Sequence, residues 1–214
     1  MDPAMTGPFL IALEGPDGSG KTTQAARLVN WLGGLGCDVV ACRDPGGTGL
    51  GDRLRSILLD RSELKISLRA ELLTYRASRA QLVDEVIRPA LELRKIVVTD
   101  RFLLSNVVYQ GHAGGHPPDE IWNVGMLATG GLLPNLTLVV DVPPEVATRR
   151  TGGARDRIED RPESYRQKVR QGFLTAAQTY PAPIVVVDGS GDADIVASQL
   201  QREVAHALGI DSRA

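Results

Sequence analysis

Aromatic residues make up only 4% of this 214-residue sequence, and it has two cysteines. So small an aromatic share leaves the core to aliphatic side chains. Cys37 and Cys42 stand five apart across an apolar stretch. In a strand that spacing puts them on opposite faces, poorly placed for a mutual disulfide, which favours buried thiols in a reducing compartment. Neither sign of charge is in excess: 24 Lys+Arg against 26 Asp+Glu give a formal net charge of −2. That argues against a general nucleic-acid binder, which would carry a basic face and a high isoelectric point. No apolar run approaches the ~18 residues of a membrane span. Residues 1–8 lack the basic and apolar stretches of a secretion signal. A cytoplasmic protein with neither a nucleic-acid nor a membrane partner is expected. Residues 1–7 are expected to be a flexible extension ahead of one domain over residues 8–210.

Five short apolar runs are present, at residues 9–13, 39–41, 96–98, 136–140 and 184–187. They are β-branched and apolar on both faces, as buried parallel strands are. Between them, residues 20–34, 67–92 and 191–208 repeat apolar side chains at helical spacing. The alternation predicts a three-layer α/β fold, a central five-stranded parallel sheet flanked by helices. Right-handed crossovers then bring the strand C-termini to one edge, where such folds bind ligands. Glycine-rich pieces at residues 111–115 and 151–153 are expected as mobile loops.

Between the first strand and the first helix lies Gly15-Pro16-Asp17-Gly18-Ser19-Gly20-Lys21-Thr22, followed by Thr23. It fits G-x-x-x-x-G-K-[ST], and a strand before with a helix after is the context that pattern needs. Glycines let the backbone aim N–H groups at phosphate oxygens, and the helix N-terminus adds favourable partial charge. Lys21 is expected on the β- and γ-phosphates of ATP and Thr22 on Mg²⁺. The loop alone does not name a second substrate.

Further motifs follow the other strands: Arg43-Asp44-Pro45-Gly46-Gly47-Thr48, Asp100-Arg101-Phe102 and Asn106-Val107-Val108-Tyr109-Gln110-Gly111, with Tyr75 and Arg79 on the long middle helix. In this order and spacing, over about residues 8–208, the set resembles thymidylate kinase, a P-loop nucleoside monophosphate kinase family. The resemblance implies transfer of the ATP γ-phosphoryl group to dTMP, giving dTDP, by a homodimer. It implies that Tyr75, where the family usually has Phe, stacks on thymine. Arg79 would meet the base at O4, and Asn106 the N3–H and O4 edge. Tyr109 would pack on the sugar and disfavour a 2′-hydroxyl, with Gln110 beside it and Pro45 as wall. Arg101 would grip the dTMP phosphate, Arg43 would neutralise the transferred group, and Asp17 would organise phosphate and Mg²⁺. Asp100 is preferred over Asp141 as a further Mg²⁺ contact.

Two departures from the family stand out. Asp44 occupies a position where Glu is commoner. Gly18 occupies a P-loop position that can carry a basic residue. Members without that residue place arginines in a lid, and here Arg149, Arg150, Arg155 and Arg157 fall within nine residues. A lid over about residues 149–160 is therefore expected, with Arg155 and Arg157 catalytic. No general base is needed, because a phosphate monoester is largely dianionic at pH 7. His112 and His116 have no clear third ligand, so a zinc site is not expected. The rival readings are another nucleotide kinase, a P-loop module without catalysis, and a nucleic-acid-dependent ATPase.

Overall fold

A computed structural model describes residues 7–60, 64–151 and 162–210. Five strands run β1 (Phe9–Glu14), β2 (Val39–Arg43), β3 (Ile96–Asp100), β4 (Leu136–Asp141) and β5 (Ile184–Asp188). All pairs are parallel, and the sheet order is β2-β3-β1-β4-β5. Leu13 and Arg43 both register with Asp100, so the strands end level with one another at the C-terminal edge. The α/β architecture expected from the sequence is the one present.

Helices α1 (Lys21–Gly34) and α9 (Ala193–Leu208) cover one face. Leu28 and Leu32 of α1 and Val196, Leu200 and Val204 of α9 bury against Ile11, Leu13, Val98 and Leu138. The other face carries α3 (Leu68–Leu82), a π-helical turn Val83–Ile87, α4 (Arg88–Glu92), α5 (Leu103–Asn106), a second π turn Val107–His112, α6 (Pro118–Thr129) and α8 (Glu163–Thr179). Helix α2 (Gly49–Leu59) packs on α3, and α7 (Pro144–Thr151) on α8. Thr48 and Ser67 cap α2 and α3, each accepting from a first-turn N–H. At the α1 N-terminus Gly20 supplies no side-chain cap, which leaves that end suited to an anion.

Two expectations need correction. Strands β1, β3 and β4 are buried except for one end residue each, but β2 and β5 lie at the edges and are half-exposed, with Val186 43% accessible. Short apolar runs read alike at the centre and the rim of a sheet, because only topology tells them apart. The segment at residues 111–115 is not simply a loop: Gly111 and His112 close the second π turn, and Gly111 is buried. The predicted residues 67–92 do form one helical run, with a π turn inserted.

Candidate active site

Beyond the strand ends lies a cleft of about 840 Å³. Residues 17–24, from the P-loop into α1, form its floor, and Arg43, Asp44, Arg55, Asp100 and Arg101 line one side. Arg150 and the loop after β5, with Gly189, Gly191 and Asp192, line the other. The loop geometry demands glycine at two positions. Gly15 has φ +137°, and a Cβ there would stand 2.4 Å from the Val140 carbonyl oxygen. Gly18 has φ +77°, and its Cβ would stand 2.4 Å from the Ala147 carbonyl oxygen of α7. A basic side chain at position 18 is therefore incompatible with the seating of α7. Gly15 and Pro16 begin the loop just outside the cleft lining and offer carbonyls to Arg101 (3.1 Å) and Lys21 (2.6 Å). Burial, with the Arg101 charge nearby, pulls the Lys21 ammonium down to about 8, although Asp17, Asp100 and Glu14 oppose the shift.

Arg101 lines the cleft and also a smaller pocket beside it. Its backbone has φ +71°, a region that costs a non-glycine residue about 1 kcal/mol or more. Its N–H donates to Leu13 O at 2.9 Å, and its guanidinium donates to Asp17, Ser105 Oγ (2.8 Å) and Gly15 O. It also lies over the Tyr109 ring, 5.1 Å from the centroid. The Tyr109 hydroxyl donates to Asp17 Oδ2 at 2.8 Å. Burial alone would raise the Asp17 carboxyl, but Arg101 and Lys21 beside it outweigh that and hold it below the usual range.

Glu14, which sequence reasoning passed over, is fully buried beneath this cluster. It accepts from the Phe102 N–H (2.8 Å), the Ser105 N–H (3.1 Å) and the Ser105 hydroxyl, fixing the turn that aims Arg101. Burial raises its carboxyl, and Arg101 and these donors offset that only in part. A charged residue closing an apolar strand just before the glycine loop was the available signal.

A smaller pocket of about 90 Å³ opens beside Arg101, lined by Pro45, Arg55, Leu59, Tyr75, Arg79, Asn106, Tyr109 and Gln110 together with Asp17 and Asp44. Every base- and sugar-facing residue expected from the sequence thus converges here. Arg79 is only 1% exposed and donates to Asp44, Asn106 Oδ1 (2.6 Å) and Phe102 O (2.9 Å). Asp44 is itself buried, and burial raises its carboxyl with the Arg79 charge offsetting part of the shift. The Asp44–Pro45 bond is cis, and the Pro45 carbonyl accepts from Arg55 at 2.9 Å. Arg43 stays more than half exposed and pairs with Asp52 at 3.1 Å.

Of the two aspartates weighed for Mg²⁺, Asp141 is held by Arg170 in a two-pronged pair at 2.8 Å and stands away from the cleft lining. Asp100 accepts from the Thr22 hydroxyl at 2.6 Å and lines the cleft. A hydroxyl and a carboxylate side by side are the hard oxygen donors Mg²⁺ takes. Both Asp17 oxygens are engaged, by Arg101 and Tyr109. Among the described residues no group of three or more His, Cys, Asp or Glu is placed to hold a metal. Arg155 and Arg157, with residues 152–160 of the expected lid, lie outside the described residues, as do residues 1–6. Arg150, ranked below them on sequence, is instead bonded to the carbonyls of Gly189 (2.8 Å), Ser190 (3.2 Å) and Gly191 (3.1 Å) at the cleft rim.

Known proteins resemble this chain over most of its length. The family described as Thymidylate kinase matches residues 13–200. A thymidylate kinase of Symbiobacterium thermophilum is 43% identical over 199 residues, covering 92% of this chain and 93% of that protein. One of Exiguobacterium sp. is 41% identical over 198 residues, covering 92% and 93%. One of Citrifermentans bemidjiense is 45% identical over 192 residues, covering 86% and 85%. A match of this extent, on a chain whose P-loop and side pocket stand at one sheet edge, shows that the chain belongs to the thymidylate kinase family.

Proposed function

We infer that the chain transfers the γ-phosphoryl group of ATP to dTMP, giving dTDP for dTTP synthesis, and that the residues converging on the cleft and its side pocket do the work. The observation that carries this reading is the position of Arg101, which stands between the P-loop and the side pocket and lines both cavities. Phosphoryl transfer needs alignment and neutralised charge rather than covalent help. ATP lies along residues 15–23, with Lys21 on its terminal phosphates. The Gly189–Asp192 loop and Arg150 bound the nucleoside end. The dTMP phosphate meets Arg101, whose guanidinium matches phosphate oxygens in two-pronged fashion. Arg43 faces the transferred group from the end of β2. Tyr75, Arg79, Asn106, Tyr109 and Gln110 hold the nucleoside of dTMP, with Pro45 as wall.

Mg²⁺, held through Thr22 and Asp100 with Asp17 nearby, would neutralise phosphate charge. Arg155 and Arg157 complete the donor side when a lid over about residues 149–160 closes and expels water. The domain spans residues 8–210, and the protein works as a cytoplasmic homodimer. Leu50 and Ile57 on α2 and Leu68 and Leu73 on α3 are each about half exposed, which supports a partner against that pair of helices. A transfer experiment tests the reaction: γ-labelled ATP and dTMP must give labelled dTDP, and Lys21→Ala must do so at least about a hundredfold more slowly. Label released as inorganic phosphate, with none in dTDP, would overturn it.

A further inference from the structure

A run of buried hydrogen bonds passes behind the side pocket. Arg79 Nη1 donates to Asn106 Oδ1 at 2.6 Å, Asn106 Nδ2 to Gln110 Oε1 at 2.7 Å, and Gln110 Nε2 to Glu71 Oε1 at 2.9 Å. None of the four residues is more than 2% exposed. Asn106 and Gln110 line the pocket, and Glu71 lies behind them, two helical turns before Arg79 on α3.

A primary amide has nearly the same shape with its oxygen and nitrogen exchanged, so its partners decide which end faces where. At the ends of this run there is no choice. A guanidinium only donates, and a carboxylate only accepts. Both amides between them must point oxygen toward Arg79 and nitrogen toward Glu71. Turning either over would face donor to donor or acceptor to acceptor in a buried site.

The geometry points to Glu71 as a positioning residue for base selection. It fixes Gln110, and through Gln110 it fixes Asn106, so that the pocket shows an amide oxygen beside the Arg79 donors. That pattern complements a pyrimidine with an N3–H and a C4 carbonyl. It repels one with an N3 lone pair and a C4 amino group. The inference rests on the side pocket being the base site of dTMP. On the sequence alone Glu71 is an unremarked acid in the first turn of a helix, where the dipole favours it.

The test is the ratio of kcat/KM for dTMP over dCMP at saturating ATP. E71Q keeps the shape but lets the end group donate or accept, so Gln110 is free to turn. The ratio is expected to fall about tenfold, the scale of one lost charge-assisted hydrogen bond, while the KM for ATP holds. E71Q/Q110E moves the obligate acceptor one place along: the new carboxylate at position 110 accepts from Asn106 Nδ2. It is expected to regain most of the ratio. An unchanged ratio in E71Q would overturn the inference, as would a folded double variant without recovery, and the double variant decides alone if E71Q does not fold. A wild-type enzyme with no preference for dTMP would sink the pocket assignment itself, a separate failure.

Discussion

Lys21 is buried against its own loop, yet phosphate binding needs it as a cation. Its folded-state value of about 8 lies below its ordinary 10.5. The unfolded chain therefore holds the extra proton between those values, so this group costs stability below pH 8 and the cost fades as pH rises toward 10.5. Activity runs the other way. We expect kcat/KM for ATP to decline as pH rises through about 8, and a flat profile to pH 10 would contradict the assignment. Lys21→Ala should lower kcat by about a hundredfold or more, with the melting temperature unchanged or raised. Tyr109 makes two separable contributions. Its hydroxyl bonds to Asp17 at 2.8 Å, and its ring packs edge-on against Phe173. Tyr109→Phe should cost about 1 kcal/mol, a several-fold loss of kcat/KM for dTMP. Tyr109→Ala should both lower stability by about 3 kcal/mol and admit ribonucleotides better. Unchanged selectivity between dTMP and a ribonucleotide in the alanine variant would remove Tyr109 from the sugar gate.

At the scale of elements, the P-loop is held by contact with its neighbours as much as by its own turns. Gly15→Ala brings a Cβ within 2.4 Å of the Val140 carbonyl oxygen at a positive φ. The loop must move off β4, so ATP affinity should fall more than tenfold and the melting temperature by several degrees; wild-type ATP affinity would show the loop free to shift. Helix α7 is tied to the loop after β5 through the three carbonyls that Arg150 reaches. Arg150→Ala should therefore raise the KM for ATP several-fold and leave that for dTMP unchanged; an equal rise in both would place Arg150 elsewhere in the mechanism. Much of this level was legible from residues alone. Apolar β-branched runs located the strands, and helical spacing located α1, α3 and α9. The cleft's far wall was not legible, because residues 189–192 join it only through the sheet order that sets β5 beside β4. Glu14 and Glu71 were missed for a related reason: each reads as an ordinary acid at the end of an element, and only burial and partners reveal its task.

For the whole molecule, the sequence motifs marked out the residues that line the cleft and side pocket more fully than the ones behind them. Among the described residues, those expected to touch substrates lie at one edge, since each follows a strand or faces the pocket from α3. What they lean on is not local in sequence. Asp44, the position that departs from the family, is the buried partner of Arg79, 35 residues away. The exposed aliphatic side chains of α2 and α3 form one face of the molecule. A homodimer mass in solution is expected, and a monomer at micromolar concentration would leave that face without a partner copy. The central claim is that one cleft joins ATP to a thymine deoxynucleotide. The most direct measurement is ADP release by the wild-type chain with ATP, Mg²⁺ and, in turn, dTMP, dUMP, dCMP, UMP, thymidine and no acceptor. Turnover that strongly favours dTMP is the expected result. Preference for another acceptor, or equal ADP release without any acceptor, would contradict it.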